Sequence, residues 1–281
     1  MSPEQFYHLF GVFALLFGLC VGSFMNVCIA RIPEDRSVAW PPSHCPACGH
    51  NIRPRDNIPV LGWILLRGRC RDCASPISAL YPAIELLTGL VGWLIYRRVL
   101  HGPADIDGPH AAAFGFYLIF AAMLIGQAYI DIRHFIVPDQ FSIYAVPVGV
   151  AGCALLGWMG YAGAPSWQAS VVGALIGGGL LGSVAGVYWL IRREEGMGLG
   201  DVKLLAMIGS FLGAVPALPI VLMVSSFTGA AVGLATLVGR KRGLRAAVPF
   251  GPFLALGALV YLLHGPEILE RFFPGIMSLL S

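Results

Sequence analysis

The stretch from Ala112 to Asp131 reads AAFGFYLIFAAMLIGQAYID, and the rest of the chain is interpreted outward from it. It carries no charged side chain before its last residue, and its length matches the roughly 20 residues that a helix needs to cross a bilayer. An ionisable residue in or beside a membrane helix is costly to place and is usually functional. The stretch therefore predicts a transmembrane helix that ends in a functional aspartate.

The composition of the whole chain agrees with a membrane location. Its 281 residues are 57% hydrophobic and 12% charged, and the mean hydropathy is +0.76. These values exclude an ordinary soluble domain and predict an all-α polytopic membrane protein. The first apolar segment has no basic region before it and no small-residue cleavage site, so we expect a retained helix rather than a signal peptide.

Eight apolar segments are long enough, or nearly so, to be membrane helices. The sixth is short, so it is expected either to continue through Pro216 and Pro219 or to be a tilted or partial crossing. The 36 glycines suit close packing between such helices. The predicted segments are 7–30, 79–100, 112–131, 139–159, 168–191, 202–214, 217–239 and 247–264, followed by a short amphipathic tail at 265–281.

The distribution of positive charge orients this topology. With the N-terminus outside, 15 of the 18 lysines and arginines fall in loops on the cytoplasmic side, as the positive-inside rule requires. The chain then divides into a first transmembrane helix at 1–30, a cytoplasmic loop domain at 31–78 and a transmembrane core at 79–281.

A second aspartate lies at the same predicted membrane face. Asp201 follows Gly198-Leu-Gly200 at the start of segment six, and Asp131 ends segment three, so both belong to the cytoplasmic side. Two carboxyl groups that meet in a site of low dielectric can share one proton and activate water against an amide. Gly198 and Gly200 leave the backbone bare, so an extended substrate strand could approach closely there.

Each of these carboxylates also has a simpler interpretation. Asp201 could be an ordinary helix N-cap, and Asp131 could pair with Arg133 or end a helix in water. Asp139, which follows Pro138, is expected to cap segment four rather than act as a third catalytic acid. Residues close enough in sequence to tune the pair are His134 and Lys203.

The long polar loop contains two Cys-x-x-Cys motifs, Cys45-Pro-Ala-Cys48 and Cys70-Arg-Asp-Cys73. Their spacing is typical of a tetrahedral zinc site with four thiolate ligands. A cytoplasmic location argues against disulfides, and a loop this short can gain folding energy from a metal. We expect structural zinc because four thiolates close the coordination shell; a redox-active dithiol pair or an empty loop are the alternatives.

Several further motifs occur together with the aspartates and cysteines. They are Gly22-Ser23-Phe24-Met25-Asn26-Val27 with Arg31-Ile32-Pro33, Asn57-Ile58-Pro59, Leu66-Arg67-Gly68-Arg69-Cys70, Ile77-Ser78, Tyr81-Pro82, Glu85-Leu86-Leu87-Thr88-Gly89, Pro138-Asp139 and Gly198-Leu199-Gly200-Asp201-Val202-Lys203-Leu204. Over about residues 18–205 the chain closely resembles the type IV prepilin peptidases of bacteria. Val137 stands where that family more often has Ile or Leu.

The resemblance implies an intramembrane aspartyl protease of the Gly-x-Gly-Asp type, with Asp131 and Asp201 as its catalytic pair. Its substrates would be prepilins and pseudopilins, cut at the cytoplasmic face of the bacterial inner membrane. It also implies N-methylation of the new N-terminus with S-adenosylmethionine, for which Asn26 and Glu85 are candidate cofactor-binding residues. Residues 1–100 contain no nucleotide-type glycine fingerprint. The lipid bilayer is an expected partner, and nucleic acid is not.

Two other functions use the same residues differently. A transporter could employ paired intramembrane carboxylates as a proton relay, but both acids lie at one face and no inverted repeat is visible. A membrane adaptor built on the cysteine loop would leave the aspartates unused, so they would tolerate substitution by Asn.

Overall fold

The computed structural model describes residues 2–193, 198–239 and 248–272, and in these ranges the chain is almost entirely helical. Loops and 3-10 turns join the helices, and the extended pairing within the described ranges consists of two isolated β-bridges. The α-helices are α1 (Pro3–Arg31), α2 (Leu61–Leu65), α3 (Leu80–Val99), α4 (Gly108–His134), α5 (Ala145–Trp158), α6 (Trp167–Arg192), α7 (Leu199–Leu212), α8 (Ala217–Gly239) and α9 (Gly251–Phe272).

Local chemistry sets where the long helices begin. Ser2 and Gln5 form a capping box at the start of α1, with each side chain bonded to the other residue's backbone N–H. Ser166 caps α6 by accepting the N–H of Ala169 at 3.2 Å. These caps satisfy N–H groups that the first turn of a helix leaves without an internal partner.

Six helical segments in the described ranges are long and apolar enough to cross a membrane, by length and composition. They confirm the prediction of a multi-pass, nearly all-helical membrane protein. These segments are Pro3–Glu34, Gly108–His134, Asp139–Trp158, Trp167–Arg192, Ala217–Thr236 and Gly251–Phe272.

The other two predicted segments are helical but do not meet that standard. The segment predicted at 79–100 is α3, which carries Glu85 and ends in Arg97 and Arg98. The segment predicted at 202–214 is α7, which has only 14 residues. The tail predicted at 265–281 continues α9 as far as Phe272, and its remaining residues lie outside the described ranges, as do the basic residues 240–245.

The chain forms two compact units, residues 1–126 and residues 127–281. In the first unit α1 packs closely on α3 because glycines remove side chains from the contact. A Cβ placed on Gly22 would lie 2.8 Å from the Cα of Glu85, and one on Gly18 would lie 2.9 Å from the Cα of Gly89. Such small residues let membrane helices bring their backbones together.

In the second unit glycines fix α7 against α6. Gly173 and Gly209 face one another so closely that neither could carry a Cβ, and Gly177 meets the carbonyl of Leu205 in the same way. The Ser170 hydroxyl donates to the carbonyl oxygen of Ser210 at 2.5 Å within this contact. The packing fixes the position of α7, and α7 carries Asp201.

Candidate active site and metal site

Asp131 lies in the last turn of α4 and is buried, with only 6% of its surface exposed. Its Oδ2 accepts a hydrogen bond from the backbone N–H of Gly251 at 3.1 Å. The helix ends immediately afterwards, where Phe135 takes a left-handed φ of 55° and donates its N–H to the Asp131 carbonyl at 2.9 Å. Arg133 does not pair with Asp131 but lies over the ring of Tyr129.

Asp201 lies in the first turn of α7, close enough to Asp131 that the charge of one carboxyl acts on the other. The residue at the N-cap is Gly198, so the interpretation of Asp201 as an ordinary cap is wrong. Among the described residues no hydrogen-bond donor reaches its carboxyl group. The structure therefore brings two carboxyls that are 70 residues apart in sequence close to one another.

The two glycines before Asp201 have different surroundings. Gly198 is exposed, and a Cβ placed there would meet no atom of the described residues closer than 3.9 Å. A Cβ on Gly200 would lie 2.9 Å from Cγ2 of Val137. The space beside Gly200 is therefore already filled by the segment that follows Asp131.

Asp139 has a different role from the predicted helix cap. Pro138 occupies the cap position of the 3-10 turn Asp139–Phe141, and no side chain caps it. The carboxylate of Asp139 instead accepts from the ammonium of Lys203 at 2.6 Å. This ion pair links the segment after Asp131 to the first turns of α7, whereas His134 is exposed at the end of α4.

Two residues beside Asp131 were not predicted from the sequence. Gln127, one helical turn before Asp131, donates its amide to the carbonyl of Phe141 at 2.6 Å. Its Oε1 is the buried side-chain acceptor without a hydrogen-bond partner in the described ranges. A polar side chain within an apolar segment was a usable signal for Gln127. For Gly251 the sequence offers only a Gly-Pro pair at the start of a helix, which does not indicate a contact with Asp131.

The four predicted metal ligands cluster in the first unit. The sulfur atoms of Cys45, Cys48, Cys70 and Cys73 all lie within 4.8 Å of one another. None of them is in a disulfide. The Sγ atoms of Cys45 and Cys73 are 3.8 Å apart, which matches the separation of about 3.8 Å expected for two sulfurs each ~2.3 Å from a tetrahedral zinc ion. The donor set and its geometry fit zinc.

The cluster is built from two copies of one backbone pattern. Cys45 donates its N–H to His50 O at 2.9 Å and accepts from Gly49, and Cys70 repeats this with Ser75 at 2.8 Å and Ala74. Gly49 and Ala74 both have positive φ, 74° and 58°. The Cys48 amide, the Ser75 hydroxyl and the Ala47 amide lower the pKa of the Cys45 thiol to about 6, which favours the thiolate that a metal requires.

The predicted cofactor residues Asn26 and Glu85 are both buried and bonded to backbone. Asn26 donates to the carbonyl of Tyr81 at 3.0 Å. Glu85 accepts the N–H of Val60 at 2.7 Å and so holds a strained turn, since Val60 has φ 62° and ψ −51°. In this structure both residues secure neighbouring segments.

A cavity of about 400 Å³ opens beside them, between the end of α1 and the loop. Phe24, Arg31, Pro41, Asn57 and Pro59 contribute to its walls. The guanidinium of Arg31 donates to the carbonyls of Ser37 and Pro41 and so fixes the loop over the helix end. The side chain of Asn57 has no hydrogen-bond partner among the described residues, so it is available to a ligand.

One buried and one partly exposed carboxyl at the ends of two apolar helices are typical of a class of protein, the membrane-embedded enzymes that use two aspartates. Comparison with known proteins narrows this class. The chain matches the Bacterial Peptidase A24 N-terminal domain over residues 16–99 and the Type IV leader peptidase family over residues 118–234. It belongs to the type IV leader peptidase family.

Relatives of known name extend over most of the chain. A prepilin leader peptidase/N-methyltransferase of Burkholderia pseudomallei (strain 1026b) is 38% identical, covering 90% of this chain and 85% of the relative. One of the same name from Aeromonas hydrophila is 36% identical, covering 90% of each. The type 4 prepilin-like proteins leader peptide-processing enzyme of Escherichia coli O78:H11 is 35% identical, covering 92% and 96%. No solved structure matches.

Proposed function

We propose that this enzyme removes the leader peptide of type IV prepilins and pseudopilins with Asp131 and Asp201 as its catalytic pair. The observation that carries the proposal is the meeting of these two carboxyls, from α4 and α7, in a chain of the type IV leader peptidase family. The proton-relay alternative is not favoured by the family or by the names of its members.

The chemistry follows from one proton shared by two neighbouring carboxyl groups. The ionised carboxylate takes a proton from a water molecule, which attacks the scissile carbonyl carbon. The protonated carboxyl donates its proton to the carbonyl oxygen. As the C–N bond breaks, the first carboxyl returns its proton to the leaving nitrogen and the second takes back a proton from a hydroxyl group of the tetrahedral intermediate, so each group acts once as acid and once as base.

The surroundings of the pair suit an extended peptide substrate. The open backbone at Gly198 offers a strand-pairing edge immediately before Asp201. The ion pair between Lys203 and Asp139 is internally neutralised, so it would leave the charge of the aspartate pair largely unbalanced. This arrangement supports a site with a single net negative charge.

We further propose eight membrane crossings, with α3 and α7 completing the six helices that qualify by length and composition. The concentration of 15 of the 18 lysines and arginines on one side supports a cytoplasmic site in the bacterial inner membrane. The loop at 31–78 would lie on the same side. In this topology the chain divides into a first transmembrane helix at 1–30, a cytoplasmic loop domain at 31–78 and a transmembrane core at 79–281.

The second activity of the enzyme is methylation of the new N-terminus. We propose that S-adenosylmethionine, which supplies an electrophilic methyl group when bound, occupies the cavity at the end of α1. The volume of about 400 Å³ and the unpaired Asn57 amide support this assignment. Phe24 would offer an aromatic face to the adenine ring of S-adenosylmethionine, and Arg31 would place a positive charge near the carboxylate of the cofactor.

Zinc is the proposed metal of the cysteine cluster. Four thiolates from Cys45, Cys48, Cys70 and Cys73 close its coordination shell, so its role is to fold the loop and it takes no part in cleavage. Asn26 and Glu85 would support the cofactor cavity indirectly, by holding the backbone at Tyr81 and Val60.

The decisive experiment is leader cleavage of a type IV prepilin by purified enzyme in detergent, comparing wild type with Asp131→Asn and Asp201→Asn. Each change removes an acid at nearly constant shape, so we expect folded protein whose cleavage rate falls by at least about a thousandfold. Full cleavage by either variant would remove that residue from the mechanism. Proton flux with no cleavage by wild type would instead favour the transporter.

A further inference from the structure

The start of α9 contacts the aspartate at the end of α4. Gly251 is the first residue of α9, and its N–H is one of those that a helix N-terminus leaves without an internal partner. Here that N–H reaches Oδ2 of Asp131 at 3.1 Å. The buried carboxyl of Asp131 therefore accepts a hydrogen bond from the N–H of Gly251, a donor that has no acceptor within α9.

The contact requires glycine at position 251 because of space. A Cβ on Gly251 would lie 2.6 Å from Oδ2 of Asp131, well inside contact distance. Any side chain would push the carboxyl away from the helix start or move α9. Close approach, and not an unusual backbone angle, is what excludes other residues here.

Three electrostatic effects bear on which carboxyl is ionised. Asp131 lies in the last turn of its own helix, where the carbonyl ends disfavour a negative charge, and Asp201 lies in a first turn, where the N–H ends favour one. Against these effects stands the direct bond from Gly251 to Asp131. A charge-assisted hydrogen bond in a buried site outweighs an end-of-helix effect, and Asp201 accepts no hydrogen bond among the described residues.

We propose that Gly251 is a positioning residue, whose N–H holds Asp131 as the ionised member of the pair and leaves the shared proton on Asp201. Asp131 is then the group that activates water, and Asp201 is the group that protonates the carbonyl oxygen. This inference rests on the proposed function. It makes α9 part of the active site, although the match to the peptidase family ends at residue 234.

The first test is Gly251→Ala, with Gly233→Ala in α8 as the matched control, because a Cβ at Gly233 meets no atom of the described residues within 4 Å. We expect kcat for prepilin cleavage to fall roughly tenfold to a hundredfold in Gly251→Ala, with KM within about twofold of wild type. Gly233→Ala should keep wild-type kcat and KM. Wild-type kcat in Gly251→Ala would overturn the proposal.

The second test uses wild-type enzyme and does not depend on how any variant folds. An epoxide is opened by an ionised carboxylate, which attacks carbon while the epoxide oxygen takes up a proton. A diazo ester takes its proton from a carboxylic acid, and the resulting carboxylate then displaces N₂ from that carbon. Peptide mapping by mass spectrometry should find the epoxide adduct on Asp131 and the diazo-derived ester on Asp201. The reverse assignment would overturn the proposal.

The two tests separate this inference from the proposed function. Prepilin cleavage together with reversed labels would refute the assignment of the proton and leave the peptidase intact. The expected labels on an enzyme that cleaves no prepilin would support the assignment of the proton to Asp201 and refute the proposed substrate.

Discussion

The cysteine cluster and the aspartate pair are assembled in different ways. All four sulfur ligands come from residues 45–73, through two copies of the same local turn. The aspartate site gathers Asp131, Asp201 and the N–H of Gly251 from three helices, and Gly251 is 120 residues from Asp131 in sequence. The first site depends on local backbone geometry, and the second on the packing of helices along the whole second unit.

The difference determines how each site should respond to substitution. In the cysteine loop the metal is expected to provide most of the folding energy, so a ligand should matter far more than its neighbours. In the aspartate site the helices meet through glycines, so a single added methyl group should disturb the pair even when it touches neither carboxyl.

Loss of metal should produce the largest effect on either site. In Cys45→Ser with Cys70→Ser, we expect bound zinc to be lost, because two thiolates cannot close the shell and metal binding supplies about 10 kcal/mol in comparable small sites. Limited proteolysis should then cut the loop at 31–78 rapidly, and metal analysis should show less than a molar equivalent of zinc.

The control for this loss is wild-type enzyme treated with a strong chelator, which should become equally sensitive to protease. If the double variant in chelator resists protease to the same degree as wild type without chelator, the loop folds without metal. The contrast between the two sites would then disappear.

A methyl group at Gly200 should have an intermediate effect on the aspartate site. In Gly200→Ala the new Cβ would lie 2.9 Å from Cγ2 of Val137, and such overpacking typically costs about 1–3 kcal/mol. We expect a lower midpoint of thermal unfolding and slower leader cleavage, both measured on purified enzyme in detergent.

Two further variants make the Gly200 result specific. Val137→Ala removes the clashing methyl groups, so the double variant should recover most of the lost activity. Gly198→Ala, where the space is open, should unfold at the wild-type temperature. Equal destabilisation by the two glycine variants would show that packing against Val137 is not the reason for Gly200.

The smallest effects are expected within the repeated turns of the cysteine cluster. Gly49 and Ala74 occupy equivalent positions with φ of 74° and 58°. Gly49→Ala should destabilise the loop by about 1 kcal/mol, the usual cost of a side chain in the left-handed region. Ala74→Gly should be nearly neutral, because relief of that strain offsets the greater freedom of glycine when unfolded.

Hydrogen exchange of the loop amides would measure this pair of variants directly. Faster exchange in Ala74→Gly than in Gly49→Ala would contradict the equivalence of the two turns. It would also weaken the view that local backbone geometry governs this site.

The sequence predicted which residues lie together in each site better than it predicted the surroundings of those residues. The four cysteines were predictable because the Cys-x-x-Cys spacing sets the local geometry of each turn. The proximity of Asp131 and Asp201 agrees with their predicted pairing, whereas their location at one membrane face, which helix count and charge distribution predict, stays a prediction. The cap assigned to Asp139 was wrong because its partner, Lys203, is 64 residues away and no local pattern specifies it.

The membrane segments show the same limit. Six of the eight predicted segments meet the length and hydropathy of a membrane helix, and both properties can be read from a local stretch of sequence. Whether α3 and α7 cross the membrane depends on the helices around them. The Glu85 side chain in α3 and the length of only 14 residues in α7 are tolerated in a bilayer only when neighbouring helices pack against them.

The sequence by itself determined the class of protein and the clustering of the four cysteines, and it predicts the two acids as a pair, because apolar length, cysteine spacing and charge bias are local or additive properties. Only the tertiary structure decided that Gly251 bonds to Asp131, that Gly200 packs on Val137 and that Glu85 holds Val60. These contacts join residues distant in sequence, and helix packing at close range selects them. Composition cannot encode which backbone N–H will face which carboxyl.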